Sequence, residues 1–168
     1  MPREEKNVSN WCAAKTLVLG CGNKLFGDDG FGPAVVEHLL QNYVIPDWAL
    51  VEDVGTGVRE VLFDISLSDI YPSTVVIIDS VDKGFKPGAI FEITSYDLPK
   101  EKIDNFRLHN APSSNLIKQL EREKGDIELY IYVCQIKEIP NTMRMELSPE
   151  LKEAVKEMGT IIYHRFLS

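Results

Sequence analysis

The sequence predicts an α/β fold: a three-layer sandwich on a mostly parallel sheet of five strands, with one antiparallel edge strand. Three observations carry this reading. Short apolar, β-branched runs alternate with stretches of helical apolar period, the pattern of successive βαβ units. One connection, at residues 83–88, is turn chemistry too short to hold a helix, so the strand after it is expected to run antiparallel. The 168 residues form one domain's worth of chain, long enough to bury about 68–70% of the unfolded surface.

Each element follows in order. Residues 1–15 are polar, without the apolar core of a signal peptide, and read as a flexible leader to a single domain at 16–168. Residues 16–20 are a short buried strand, too uniformly apolar for an amphipathic helix. Residues 31–43 place Val35, Val36, Leu39, Leu40 and Tyr43 at helical spacing. A second strand at 49–53 ends in Glu52-Asp53 and the turn Gly55-Thr56-Gly57. Val58, Val61, Leu62 and Ile65 then mark a helix over 58–65. TVVIID at 74–79 is the clearest strand, because β-branched side chains suit a pleated buried surface. After the 83–88 turn comes a strand at 89–94, followed by a long, weakly periodic loop at 95–112. Ser113 or Ser114 caps a helix to Lys124, with Leu116, Ile117 and Leu120 inward. ELYIYVCQI at 128–136 is the fifth strand, and Ser148-Pro149 opens a last helix with Leu151, Ala154, Val155, Met158, Ile162 and Phe166 along one stripe.

Eighteen basic against 26 acidic residues leave a net charge of −8, which argues against a nucleic-acid partner and suits a cationic ligand or a partner with a basic tail. The three cysteines, Cys12, Cys21 and Cys134, are odd in number and lack CxxC spacing, so neither structural zinc nor a disulfide framework is expected, and a reducing cytoplasm is the expected compartment. No apolar run approaches the ~18 residues of a membrane span.

The chemistry concentrates in LVLGCGNKLFGDDGFG, residues 17–32. A strand running into a glycine-rich turn and a helix is where nucleotide-binding proteins cradle phosphate. Here that place holds Asp28 and Asp29. Unit charges about 4 Å apart repel by roughly 1 kcal/mol in water and roughly 4 kcal/mol near a protein surface, so the turn is expected to seek a cation and repel a pyrophosphate. The third strand ends in Asp79, and strands about 4.8 Å apart bring their terminal side chains together. Carboxylates alone suit magnesium or calcium, and an added imidazole favours a transition metal. His38 lies on the core stripe of the first helix and His164 near a helix C-terminus, both structural or solvated in this reading. His109 lies in the long loop. Each acid has a plainer reading: Asp28 bonded to turn amides, Asp79 at a strand end, or Asp53 on a nucleotide ribose beside Gly20 and Gly22. The full GxGxxG pattern fails, since its third position is Leu25. Cys21 reads as a small buried thiol rather than a nucleophile.

The segment GCGNKLFGDDGFG, then Asp53-Val54-Gly55-Thr56-Gly57, then IIDSVDKGFKPG and His109 resembles the nickel–iron hydrogenase maturation endopeptidases, in order from Leu17 to about Pro140. The run Asp53-Val54-Gly55-Thr56-Gly57-Val58-Arg59-Glu60 and His109-Asn110-Ala111-Pro112 is similar to the subgroup of archaeal deazaflavin-reducing hydrogenases. The resemblance implies a twisted five-stranded sheet. It also implies an aspartic-type endopeptidase that removes the C-terminal extension of a hydrogenase large-subunit precursor after nickel insertion. It makes Asp29, Asp79 and His109 the contacts to nickel carried in by the substrate, and assigns Asp53, with Gly55, Thr56 and Gly57, to recognition or cleavage. Many members carry glutamate at the position of Asp29, and a glycine at that of Val58, where this chain has Gly57 one residue earlier. Two other classes stay open: a non-catalytic nickel-site chaperone for the same precursor, and a nucleotide-dependent enzyme using Gly20, Gly22 and Asp53.

Overall fold

A computed structural model of the chain describes residues 10–98 and 113–168. Its five strands are β1 (Thr16–Cys21), β2 (Ala49–Gly55), β3 (Thr74–Val81), β4 (Ile90–Ile93) and β5 (Glu128–Gln135), and its helices are α1 (Asn10–Ala13), α2 (Phe31–Asn42), α3 (Val58–Leu67), α4 (Ser113–Glu123) and α5 (Pro149–Ile162). The sheet order is β2-β1-β3-β5-β4. β1 pairs in parallel with β2 and β3, and β3 with β5, while β4 closes the edge antiparallel to β5. The expected architecture is therefore the observed one.

Alternation along each strand splits the core in two. Val18, Val76, Ile78, Tyr132 and Cys134 face α2 and α5. Leu17, Leu19, Cys21, Val75, Ile77 and Val133 face α3 and α4. A period of two in the strands meets a period of 3.6 in the helices, which is why both faces of a uniformly apolar strand are covered. The α2 layer sits very close to the sheet. A Cβ added at Gly32 would lie 2.3 Å from the Cys21 carbonyl oxygen and 2.5 Å from that of Ile78, so only glycine admits this approach.

Three local outcomes differ from the expectation. The segment read as a leader is packed from residue 10 onward: α1 buries Cys12, and the Trp11 indole donates to Asp64 on α3 at 3.2 Å. The strands also run further than expected, β2 to Gly55 and β3 to Val81, because main-chain pairing continues past the apolar runs. Ser148 does stand before Pro149 at the start of α5, yet its hydroxyl makes no cap bond. Only its carbonyl serves the helix, accepting from Leu151 and Lys152. The last turn, Tyr163–Leu167, widens to a π-helix. Of the expected long loop, Ser95–Asp97 forms a 3-10 turn closed by a Thr94–Asp97 capping box. The rest of that loop, including His109, Asn110, Ala111 and Pro112, lies outside the described residues. Among the described residues, no helix is long and apolar enough to cross a membrane.

Candidate active site

Strand order reverses direction between β1 and β3, and ligands of open α/β sheets bind outside the carboxyl ends of the strands at such a point. Three acids arrive there. Asp29 comes on a 3-10 turn (Gly27–Gly30) between β1 and α2, Asp79 on β3, and Asp53 on β2. The centre of the group is Cys21 at the end of β1. Asp53 stands on one neighbouring strand and Asp79 on the other, and both charges act on its thiol.

Asp79 is buried, 7% exposed, and its Oδ1 accepts the Ser80 amide at 2.8 Å. Burial pushes its carboxyl well above the usual range, and the neighbouring negative charge of Asp29 pushes the same way, against the Ser80 bond. Asp29 is 6% exposed, and its Oδ2 accepts the Asn23 amide at 3.2 Å. The turn that places it is held by Asn23 as well: the Asn23 side chain accepts from Leu25 and its carbonyl from Phe26. Gly22 makes the turn feasible. Its φ is +134°, and a Cβ there would overlap the Asp29 carbonyl oxygen.

Asp28 behaves differently from its neighbour. Its carboxylate is 2% exposed and turned away from the acid pair into the loop after β5. There it accepts from the amides of Lys137 at 2.9 Å, Glu138 at 3.4 Å and Ser148 at 2.7 Å, and from the Ser148 hydroxyl at 3.0 Å. This is where the missing helix cap of Ser148 went. The two adjacent acids therefore do not form one cation-seeking pair. Asp28 is a fastener, and the charge facing the site comes from Asp29 and Asp79 on different elements.

Asp53 is half-buried, its Oδ1 accepting the Gly55 amide at 2.9 Å and its Oδ2 paired with Lys24 Nζ at 2.8 Å. That pair holds the Lys24 ammonium above its usual range. The turn of Gly55, Thr56 and Gly57 is closed by a Gly57 amide bond to Val54 O at 2.8 Å, and the Gly55 carbonyl accepts from Gly22, so both glycine turns form one rim. Thr56 at its tip is exposed. A ribose contact from Asp53 finds its oxygens already engaged. His38 packs against Gly159 of α5, and His164 is exposed, both away from this corner. Among the described residues, no three His, Cys, Asp or Glu side chains gather as a metal cluster. The third expected ligand, His109, falls outside them.

Comparison with known proteins decides the family. The model of the hydrogenase maturation protease family matches residues 33–165. The chain belongs to that family. It is 37% identical over 148 residues to a protein of Methanocaldococcus jannaschii provisionally named as a hydrogenase maturation protease, covering 87% of this chain and 92% of that one. It is 33% identical over 147 residues to the coenzyme F420 hydrogenase subunit delta of Methanothermobacter thermautotrophicus, with 84% and 88% covered. These archaeal relatives agree with the expected subgroup. The solution structure of the endopeptidase HycI from Escherichia coli superposes with a TM-score of 0.68 at 26% identity, over 87% of each chain.

This protease's own residues narrow its chemistry. The Cys21 thiol is fully buried and raised well above its usual range by desolvation and by Asp79 and Asp53, so the thiolate that nucleophilic attack requires is disfavoured. Cys134 is pushed up to about 12, chiefly by burial. Three features of the corner had little or no signal in the sequence. Asp28 and Ser148 are separated by 120 residues. Lys24 is one lysine among many. Asn23 alone was readable, since an Asn two residues before Leu25 fits an Asx turn.

Proposed function

We propose that this protease cuts the C-terminal extension from a nickel–iron hydrogenase large-subunit precursor once nickel is in place, and that the nickel arrives bound to the substrate. The observation that carries this reading is the pair of buried acids Asp29 and Asp79 at the carboxyl end of the sheet, where the charge of Asp29 adds to burial in raising the Asp79 carboxyl. Without a cation, one of them is driven toward its protonated form. A divalent ion carried in by the precursor replaces that proton and relieves the repulsion, so the corner responds to an occupied metal site and disfavours an empty one. His109, given by the family motif, completes a set of two carboxylates and one imidazole, which is small and open. Nickel so held would polarise the scissile carbonyl or activate water, and a carboxylate of the pair would be the natural acceptor for the water's proton. Asp53 and the Gly55-Thr56-Gly57 turn border the same corner, and in this reading they contact the precursor backbone beside the cut. The partner is thus a folded protein with a flexible tail, and nucleic acid and membrane play no part.

The test is cleavage of nickel-loaded and nickel-free precursor by wild type and by Asp29→Asn. Processing of the loaded precursor alone, lost in Asp29→Asn with the circular dichroism spectrum unchanged, is the expected result. Equal cutting of both precursors removes nickel from the reading. Binding without cutting makes the protein a chaperone for the metal site.

A further inference from the structure

A second surface borders the acid pair. Residues 140–148 return from β5 toward α5 and lie beside the loop that carries Asp29. The Arg144 amide donates to Leu25 O at 2.8 Å and the Gly27 amide to Arg144 O at 2.6 Å, an isolated parallel bridge between Phe26 and Arg144. Arg144 therefore spends its main-chain groups on the inner edge. In an extended chain the neighbouring residues aim theirs at the opposite edge. Met143 and Met145 make no hydrogen bond among the described residues, and both side chains are 69% exposed, beside Leu25 at 39%. The segment is short; the Asp28 carboxylate holds the chain at its two flanks, Lys137 and Ser148, and Arg144 forms an exposed ion pair with Glu138 at 2.8 Å. An apolar, unpaired edge that is already ordered is what an added strand needs.

We infer that the outer edge of residues 143–145 is an exosite that takes up an extended, apolar-bearing segment of the precursor chain as an added strand. This rests on the function proposed above. The occupant follows from continuity with the site. Leu25 and Gly27, the backbone partners of Arg144, run directly into the turn that carries Asp29, so the edge lies across a single loop from that acid. Two strand spacings of about 4.8 Å separate an added strand from the 25–27 backbone, so the captured segment lies apart from the residues being cut. Main-chain bonds supply the affinity there, and the adaptable methionines accept varied apolar side chains.

The experiment compares wild type with Met143→Asp/Met145→Asp, with the milder Met143→Ser/Met145→Ser, and with Met145→Pro, which removes one outward N–H. Cleavage of nickel-loaded precursor is followed across precursor concentrations, and binding of the same precursor is measured by interferometry. The edge variants are expected to raise KM about tenfold with kcat within about twofold, and to weaken binding in step. An unchanged KM and unchanged binding overturn the exosite, as does a loss confined to kcat. A wild-type dimer in sedimentation that the edge variants abolish also overturns it, because a second copy then occupies the edge. If wild type binds the precursor without cutting it, the proposed function fails, while loss of that binding in the edge variants still supports the exosite.

Discussion

Asp79 carries a stability cost that depends on pH. A carboxyl whose folded pKa is raised binds its proton more tightly in the native state than in the unfolded chain. Stability is therefore greatest at low pH as far as this group is concerned, and falls as pH rises from the unfolded value of about 3.9 toward the folded one. Asp79→Asn keeps an acceptor for the Ser80 amide and removes the charge. It is expected to stabilise the protein at pH 7 by roughly 0.5–2 kcal/mol, with a smaller gain at pH 4.5, while losing processing. Urea melts at the two pH values check the sign. Asp28 gives the opposite result. Its carboxylate receives four donors, and an amide in its place turns an N–H₂ toward one group of them. Asp28→Asn is expected to cost about 2–4 kcal/mol in urea unfolding, since bonds to a buried charge are worth about 1.5–3 kcal/mol each.

Elements are placed here by close approach of backbones. α2 can bring the acid-bearing turn over the end of β1 only because Gly32 meets the Cys21 and Ile78 carbonyls with no side chain between them. Gly32→Ala has no flexible side chain to push aside, only main chain. It is expected to lower stability by about 3 kcal/mol and to reduce processing by displacing Asp29, measurable as a lower melting temperature together with a lower kcat. Met158→Ala, in the same layer but far along α5, serves as the control: it is a large-to-small core change of about 2–5 kcal/mol that leaves the turn geometry alone. A loss of kcat in both alike, at matched stability, shows that global loosening and not turn geometry governs the rate.

For the molecule as a whole, the proposed function makes the acid corner a weak metal site of its own. Purified protein is expected to carry little metal, and its nickel affinity to rise with pH as the proton leaves Asp79. Calorimetry at two pH values, with the proton release read from buffers of different ionisation heat, checks both; tight retention through chelation contradicts a site that depends on the substrate's ion. The fold was almost wholly legible in the chain, because uniformly apolar strands and amphipathic helices leave one consistent layering, and the short 83–88 turn fixed the antiparallel edge. Asp29 on its glycine turn and Asp79 at a strand end were legible as acids meeting at one edge, whereas Asp53 was legible as the acid ending the second strand and drew its role from the family motif. The division of labour between Asp28 and Asp29 was not, since adjacent residues with the same charge differ only in which distant loop faces them. Nor was the ion pair of Lys24 with Asp53, which depends on how a turn folds over a neighbouring strand.

The bond from Asp28 to Ser148 also sets an order of assembly. The strands and glycines that form the acid-bearing turn are complete in a growing chain by residue 81, but the residues that fasten it, Lys137, Glu138, Arg144 and Ser148, all come later. The last of these is synthesised 67 residues later, after β5 has slotted in between β3 and the edge strand. A fragment ending before residue 137 carries Asp28, Asp29, Asp53 and Asp79 and leaves the Asp28 carboxylate without the four donors it has in the folded chain. The acid-bearing turn is thus expected to gain its full set of fastening bonds only after most of the sheet is made, so a fragment ending before residue 137 should show a less protected turn in hydrogen exchange than the full chain.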